Sequence, residues 1–145
     1  MRRLLISLLT IVSLSGCQTS DEALTTKSDP IAISGAAAAA IAGDMAGRLA
    51  EQIGAAGTTT IKMDKDTSEY AAALEAALEG WGYTVILDGK VGKGQSPVEL
   101  AWSVDSFDGQ VLARLTTPAI ALGRAYAPTA EGATPASPLS IMQRN

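Results

Sequence analysis

Histidine is absent from this 145-residue chain, which removes the commonest general acid–base group and the commonest metal ligand together. A lone cysteine, Cys17, excludes an internal disulfide. One Phe, two Trp and three Tyr supply little aromatic bulk, so the 47% apolar content rests heavily on alanine and predicts a single small core. Positive charge is scarce as well: eleven Lys/Arg face fifteen Asp/Glu, a formal charge of -4. A nucleic-acid-binding face needs clustered Lys/Arg to neutralise phosphates, and with none in view direct nucleic-acid binding is not expected. Nor is any apolar run long enough to cross a bilayer. The run Leu4 to Leu14 gives a helix of roughly 16 Å, where the hydrocarbon core is about 30 Å thick.

What the N-terminus does have is an ordered set of three parts. Arg2 and Arg3 come first, the apolar run follows, broken only by Ser7, Thr10 and Ser13, and small residues lead to Cys17. That is the order of a secretory leader. Its end, Leu14-Ser15-Gly16-Cys17, resembles the lipobox of bacterial lipoproteins. The resemblance implies cleavage between Gly16 and Cys17, diacylglycerol on the Cys17 sulfur, and acylation of the new amino group. Each buried methylene contributes about 0.8 kcal/mol, and two or more chains anchor stably where one does not. Gln18 rather than Asp follows the cysteine, which in the lipoprotein sorting pattern implies the outer membrane. Loss of Arg2 and Arg3 with the leader leaves nine Lys/Arg against fifteen Asp/Glu.

After the leader (1–16), residues 17–34 are polar and aperiodic and read as a flexible lipidated tether. From Ser34 an alanine-rich stretch leads into Ile41, Met45, Leu49 and Ile53, a four-residue spacing that predicts a helix ended by Gly54 or Gly57. Gly43 and Gly47 on that helix allow close approach of a second helix or of a membrane. Packing on the protein's own sheet is the preferred reading, and Asp44, Arg48 and Glu51 oppose membrane insertion. Thr58 to Met63 predicts a strand. Asp66 and Glu69 form a capping pair for a second helix, whose stripe is Tyr70, Leu74, Leu78 and Trp81 and whose stops are Gly80 and Gly82. Strands follow at 83–87, 98–104, 111–117 and 120–126, with turns at Asp88-Gly89, Asp108-Gly109 and Pro118. The predicted fold is α+β: one small domain over 35–127, two helices on a mainly antiparallel sheet of about four to five strands. Residues 128–145, with Pro128, Pro135 and Pro138, read as an irregular tail.

Few residues combine into chemistry. No Ser, Cys or Thr stands beside a recognisable base, so no catalytic residue, cofactor or small-molecule substrate is expected and the chain reads as non-enzymatic. Asp64, Asp66 and Glu69 form the densest carboxylate group, but Lys65 interrupts it and helix capping accounts for two of the three, so no metal site is assigned. Gly89-Lys-Val-Gly-Lys-Gly94 suggests a phosphate cradle only superficially. It lacks the P-loop spacing and a following helix, and reads as a hairpin loop. Trp81, Tyr83 and Trp102 could line a groove for a sugar or peptide, although Trp81 extends a helical stripe and Trp102 a strand face, which places them in the core.

Several stretches together give the chain a wider resemblance. These are the lipobox ending in Cys17, Ile41-Ala-Gly-Asp-Met-Ala-Gly-Arg-Leu-Ala-Glu-Gln52, Ala73-Leu-Glu-Ala-Ala-Leu78 with Trp81-Gly-Tyr83, and Gly123-Arg-Ala-Tyr126 with Ala133-Thr-Pro-Ala-Ser-Pro-Leu139. Over nearly its full length the sequence resembles the TrbH family, lipoproteins of the Trb mating-pair-formation apparatus. The resemblance implies an outer-membrane structural component of a conjugative type IV secretion system for plasmid transfer, with other Trb envelope proteins as partners and the domain in the periplasm. Two alternatives share the anchor: a lipoprotein binding cell wall or a small ligand, and an entry-exclusion lipoprotein on the surface of recipient cells.

Replacing Cys17 by Ser is expected to abolish incorporation of radioactive palmitate and to release the protein from the membrane pellet. Equal labelling and equal pelleting of the two forms would refute the lipid anchor.

Overall fold

The computed structural model describes residues 27–28 and 33–145. The leader, Gly16 and Cys17 lie outside the described residues.

The first helix, α1 (Gly35–Ala50), starts where Ser34 accepts a hydrogen bond from the Ala37 amide at 3.2 Å, an N-cap worth about 1 kcal/mol. Alanine carries the helix through its first turns. Of the predicted stripe, Ile41, Met45 and Leu49 are fully buried, together with Ala38, Ala42 and Ala46 beside them, whereas Ile53 lies beyond the helix end and is half-buried. Burial of each large side chain contributes about 1.5–3 kcal/mol, so packing rather than the cap fixes where α1 lies. It ends at Glu51, and Gly54 then turns the chain at φ 86°.

Strand β2 (Thr60–Met63) leads into α2 (Glu69–Gly80). The N-cap is Ser68, whose Oγ accepts from the Ala71 amide at 3.1 Å. Asp66, expected to be the cap, accepts instead from the Ser68 amide at 2.7 Å and shapes the turn before it. At the other end Gly82 takes φ 97°, the Tyr83 amide donates to the Leu78 carbonyl and the Gly82 amide to Glu79, a Schellman closure. Strand β3 (Thr84–Ile86) then pairs in parallel with β2, so β2, α2 and β3 form a βαβ unit.

The rest of the sheet is β4 (Val98–Phe107), β5 (Gln110–Thr116), β6 (Ile120–Pro128), β7 (Ala133–Pro135) and β8 (Ser140–Gln143). Strands β4, β5 and β6 form the expected antiparallel meander. Asp108 and Gly109 take φ 51° and 75° at its first turn, the doubly left-handed geometry that a two-residue hairpin needs.

Three expectations are corrected. The five predicted strands are present, but among the described residues the sheet has eight, in the order β3-β2-β4-β5-β6-β7, with β1 (Lys27–Ser28) on β4 and β8 on β6. The sheet is mainly antiparallel as expected, with β1, β2 and β3 as its parallel members. Lys27–Ser28, read as tether, and the segment 128–145, read as irregular, each contribute strands. Strands of two to four residues carry too little alternation to be seen, and the prolines of the last segment stand at or beyond strand ends, where a missing amide costs nothing. Finally, the Gly89–Gly94 loop is no hairpin. Strands β3 and β4 flank β2 on opposite sides, so the loop crosses over.

Both helices cover one face of the sheet. Leu100, Trp102 and Val104 of β4, Val111, Ala113 and Leu115 of β5, and Ile120, Leu122 and Tyr126 of β6 supply the buried face, which packs with α1 and α2 into one core. Trp102 is buried against Tyr70, ring centroids 5.1 Å apart. Trp81, expected in the core, is 54% exposed; it stands at the C-cap of α2, with its ring against Gly47 of α1. A Cβ at Gly47 would lie 3.3 Å from Trp81 Cζ2, so glycine there lets the indole lie flat on the helix. Gly43, its counterpart in the sequence reading, faces open space.

Single-tryptophan variants separate these two environments. With Trp102→Phe, the remaining Trp81 should emit to the red and be quenched strongly by acrylamide. With Trp81→Phe, Trp102 should emit to the blue and resist quenching, and equal quenching of the two variants would contradict this packing.

Candidate functional site

Most residues picked out in the sequence for chemistry are used in the fold. Asp66 and Glu69 belong to the start of α2, where Glu69 also lies beside Gly35 at the start of α1. Among the described residues no group of three or more His, Cys, Asp or Glu is placed to hold a metal ion. In the Gly89–Gly94 loop the Lys90 amide donates to Asp88 Oδ1 at 3.1 Å and the Gly92 amide to Gln95 Oε1 at 3.1 Å. Two of its amides are thus already taken. Tyr83 and Trp102 are buried, and the Tyr83 hydroxyl donates to the Gly54 carbonyl at 3.0 Å. The three aromatics do not line a common solvent-facing groove.

The geometry reveals a polar centre that the sequence reading passes over. Asp44 of α1 points at the sheet, and its Oδ2 accepts hydrogen bonds from the Tyr126 hydroxyl at 2.7 Å and from Arg124 Nη1 at 3.0 Å. Arg124 Nε donates to the Ser137 carbonyl at 3.0 Å, and the Ser137 hydroxyl accepts from the Ala125 amide at 2.9 Å. One guanidinium therefore ties α1, β6 and the corner between β7 and β8. Burial first, then the hydrogen bond to Asp44, raise the Tyr126 hydroxyl well above its ordinary pKa of 10.0, so it stays protonated and donates. A signal was available. Ile120, Leu122 and Tyr126 alternate inward on β6, and Arg124 occupies the same inward register, where an unpaired charge would be costly.

Among the described residues the opposite face of the sheet carries no helix. On it Leu112, Arg114 and Thr116 of β5 form a raised bank beside Ala121, Gly123 and Ala125 of β6, whose small side chains leave the backbone low. Ser140 and Met142 of β8, with Arg144 after them, form the second bank. The result is a trough of about 510 Å³ along β6, closed at one end by Ser137 and Pro138. The Arg114 stem leans over the floor, its Cγ 3.8 Å from where a Gly123 Cβ would stand. The far end is fixed by Thr117, whose hydroxyl accepts from the Ala119 and Ile120 amides. Arg144 secures β8 there, donating from its amide to Ala119 and from Nη1 to the Thr117 carbonyl.

A second cavity, about 640 Å³, lies at the β2–β4 end between Ile53, Pro97, Val98, Pro118 and Ile120. Its charged rim, Lys62 and Glu99, is already paired at 3.8 Å. Among the described residues no helix is long and apolar enough to cross a membrane.

Comparison with known proteins gives a consistent result. A family model described as conjugal transfer protein TrbH matches residues 19–145. A protein of Sinorhizobium fredii (strain NBRC 101917 / NGR234), named probable conjugal transfer protein TrbH, is 66% identical over 148 aligned positions that span 100% of both chains. No solved structure matches.

Replacing Asp44 by Ala strands the Tyr126 hydroxyl and the Arg124 guanidinium together, and is expected to lower unfolding free energy by about 2–3 kcal/mol in urea denaturation. Asp44→Asn keeps an acceptor for Tyr126 and should cost less, about 1 kcal/mol. Equal stability of all three proteins would show that Asp44 does not hold the helix to the sheet.

Proposed function

The chain belongs to the TrbH family of conjugal transfer proteins, and from that premise we propose that it is an outer-membrane lipoprotein with a structural role in a conjugative type IV secretion apparatus. The observation that carries this is the end-to-end match at 66% identity to a protein named for conjugal transfer. The anchor is the thioether on Cys17, preceded by a leader too short to span a bilayer.

The domain acts by binding rather than by catalysis. With histidine absent, proton transfer would fall to carboxylates, lysines or tyrosines. Of the buried hydroxyls, Tyr126 is committed to Asp44, and Tyr70 lies under α2 with its pKa pushed up by burial. Neither lines the two cavities described above. What the fold offers outward is a sheet with one face bare, and its partners are other envelope proteins of the transfer system.

A clean deletion in a donor lacking a second copy is expected to lower plasmid transfer by an order of magnitude or more while nicking at the transfer origin continues, since the protein acts at the envelope and not on DNA. Unchanged transfer frequency would overturn the proposal.

A further inference from the structure

We propose that the trough along β6 on the bare face of the sheet docks an extended, acidic segment of another protein of the transfer apparatus. The inference deepens the reading of the chain as a structural component and fails separately from it.

Three observations carry it. First, the trough has the form of a strand-wide channel: a floor of Ala121 and Gly123 between the bank of Leu112, Arg114 and Thr116 and the bank of β8. Water-facing sheet surfaces are ordinarily polar, whereas this one has Leu112, alanines, glycine and a Met142 that is 63% exposed. Second, its charge is unmatched. Among the described cations, Arg48 and Arg124 pair with Asp44, Arg48 also with Glu51, and Lys62 with Glu99. No ion pair among the described residues reaches Arg114 or Arg144, which stand on opposite banks. Among the described residues the acidic side chains of the same face, Glu99 and Asp105, lie on β4, with Asp105 in register with Leu112 and in no ion pair with Arg114. Third, the frame is rigid. Arg124 holds the corner at Ser137, and the Arg144 and Thr117 hydrogen bonds hold the other end, so the channel is formed before anything enters it.

Charge selects the occupant. A second copy of this chain laid face to face would bring the arginines of both troughs together, and like charges in contact oppose docking. Carboxylates from an extended segment would meet Arg114 on one side and Arg144 on the other, where bidentate pairing with guanidinium is available. Apolar residues alternating with them would settle on Leu112 and Met142. Without the leader the chain carries nine Lys/Arg against fifteen Asp/Glu, so an acidic partner is repelled elsewhere and directed to this face.

The test is site-specific photo-crosslinking in donor cells with the complete apparatus, using full-length protein with Leu112→p-benzoylphenylalanine or Ala121→p-benzoylphenylalanine, and mass spectrometry to read the joined peptide. The expected product joins this chain to a segment of another protein containing Asp or Glu. Arg114→Glu with Arg144→Glu, its fold checked by circular dichroism and melting because Arg144 also bonds the Thr117 carbonyl, should abolish the product and lower transfer by an order of magnitude, while Arg114→Lys with Arg144→Lys should keep most of both. Arg114→Glu alone, at an exposed side chain with no bonded partner to lose, should weaken the product and leave the melting temperature unchanged. A product with a second copy, with lipid, or with a segment lacking acidic residues would overturn the assignment, as would no product at all. If deletion of the gene impairs transfer and the double Glu variant does not, the trough is wrong and the structural role stands.

Discussion

The Asp44 carboxylate is the point at which the parts of this fold are referred to one another. Its Oδ2 receives both the Tyr126 hydroxyl and the Arg124 guanidinium, and Arg124 passes the constraint on to Ser137. The elements joined lie far apart in sequence: α1 near the start, β6 near the end, and the β7–β8 corner beyond it. An alanine-rich helix has little side-chain relief to fix its rotation on a sheet, since small residues interlock weakly. Directional hydrogen bonds to a partly buried carboxylate supply the register that shape alone does not, each worth more than a neutral pair because one partner is charged.

This constraint also determines which face is left open. Arg124 faces α1, so its neighbours Gly123 and Ala125 face away from the helices, and β6 presents a low backbone there. Strand β5 presents Leu112, Arg114 and Thr116 on that same side. The unevenness of the outer surface therefore follows from the strand alternation that builds the core on the other side. Had position 124 been apolar and position 123 bulky, the core would lose its directional tie and the trough its floor together.

The sequence was legible where periodicity is long and illegible where it is short. Ile41, Met45 and Leu49 mark α1, and Asp108-Gly109 marks a hairpin with both residues at positive φ, because helix stripes and doubly left-handed turns leave few alternatives. The strands Lys27–Ser28, Ala133–Pro135 and Ser140–Gln143 are recruited by pairing with β4 and β6, and their own residues carry no such pattern. Trp81 was misplaced for a related reason. It continues the α2 stripe by count, but at the C-cap of α2 its ring rests against Gly47 of α1 and stays half exposed. The Asp44–Arg124 pair spans 80 residues, and only the inward register of Arg124 hinted that a partner was needed.

The place of β1 bears on where any partner can stand. Lys27–Ser28 joins β4 on the edge away from β5, with β4 and β5 between it and the β6 floor of the trough. With lipid on Cys17 as proposed, the stretch from Cys17 to Lys27 reaches at most about 35 Å when fully extended. That is less than the thickness of a bilayer with its headgroups, about 40–45 Å. On the proposed anchor the domain is held within that reach of one membrane surface. A segment that docks in the trough would then come from a protein that reaches the same surface.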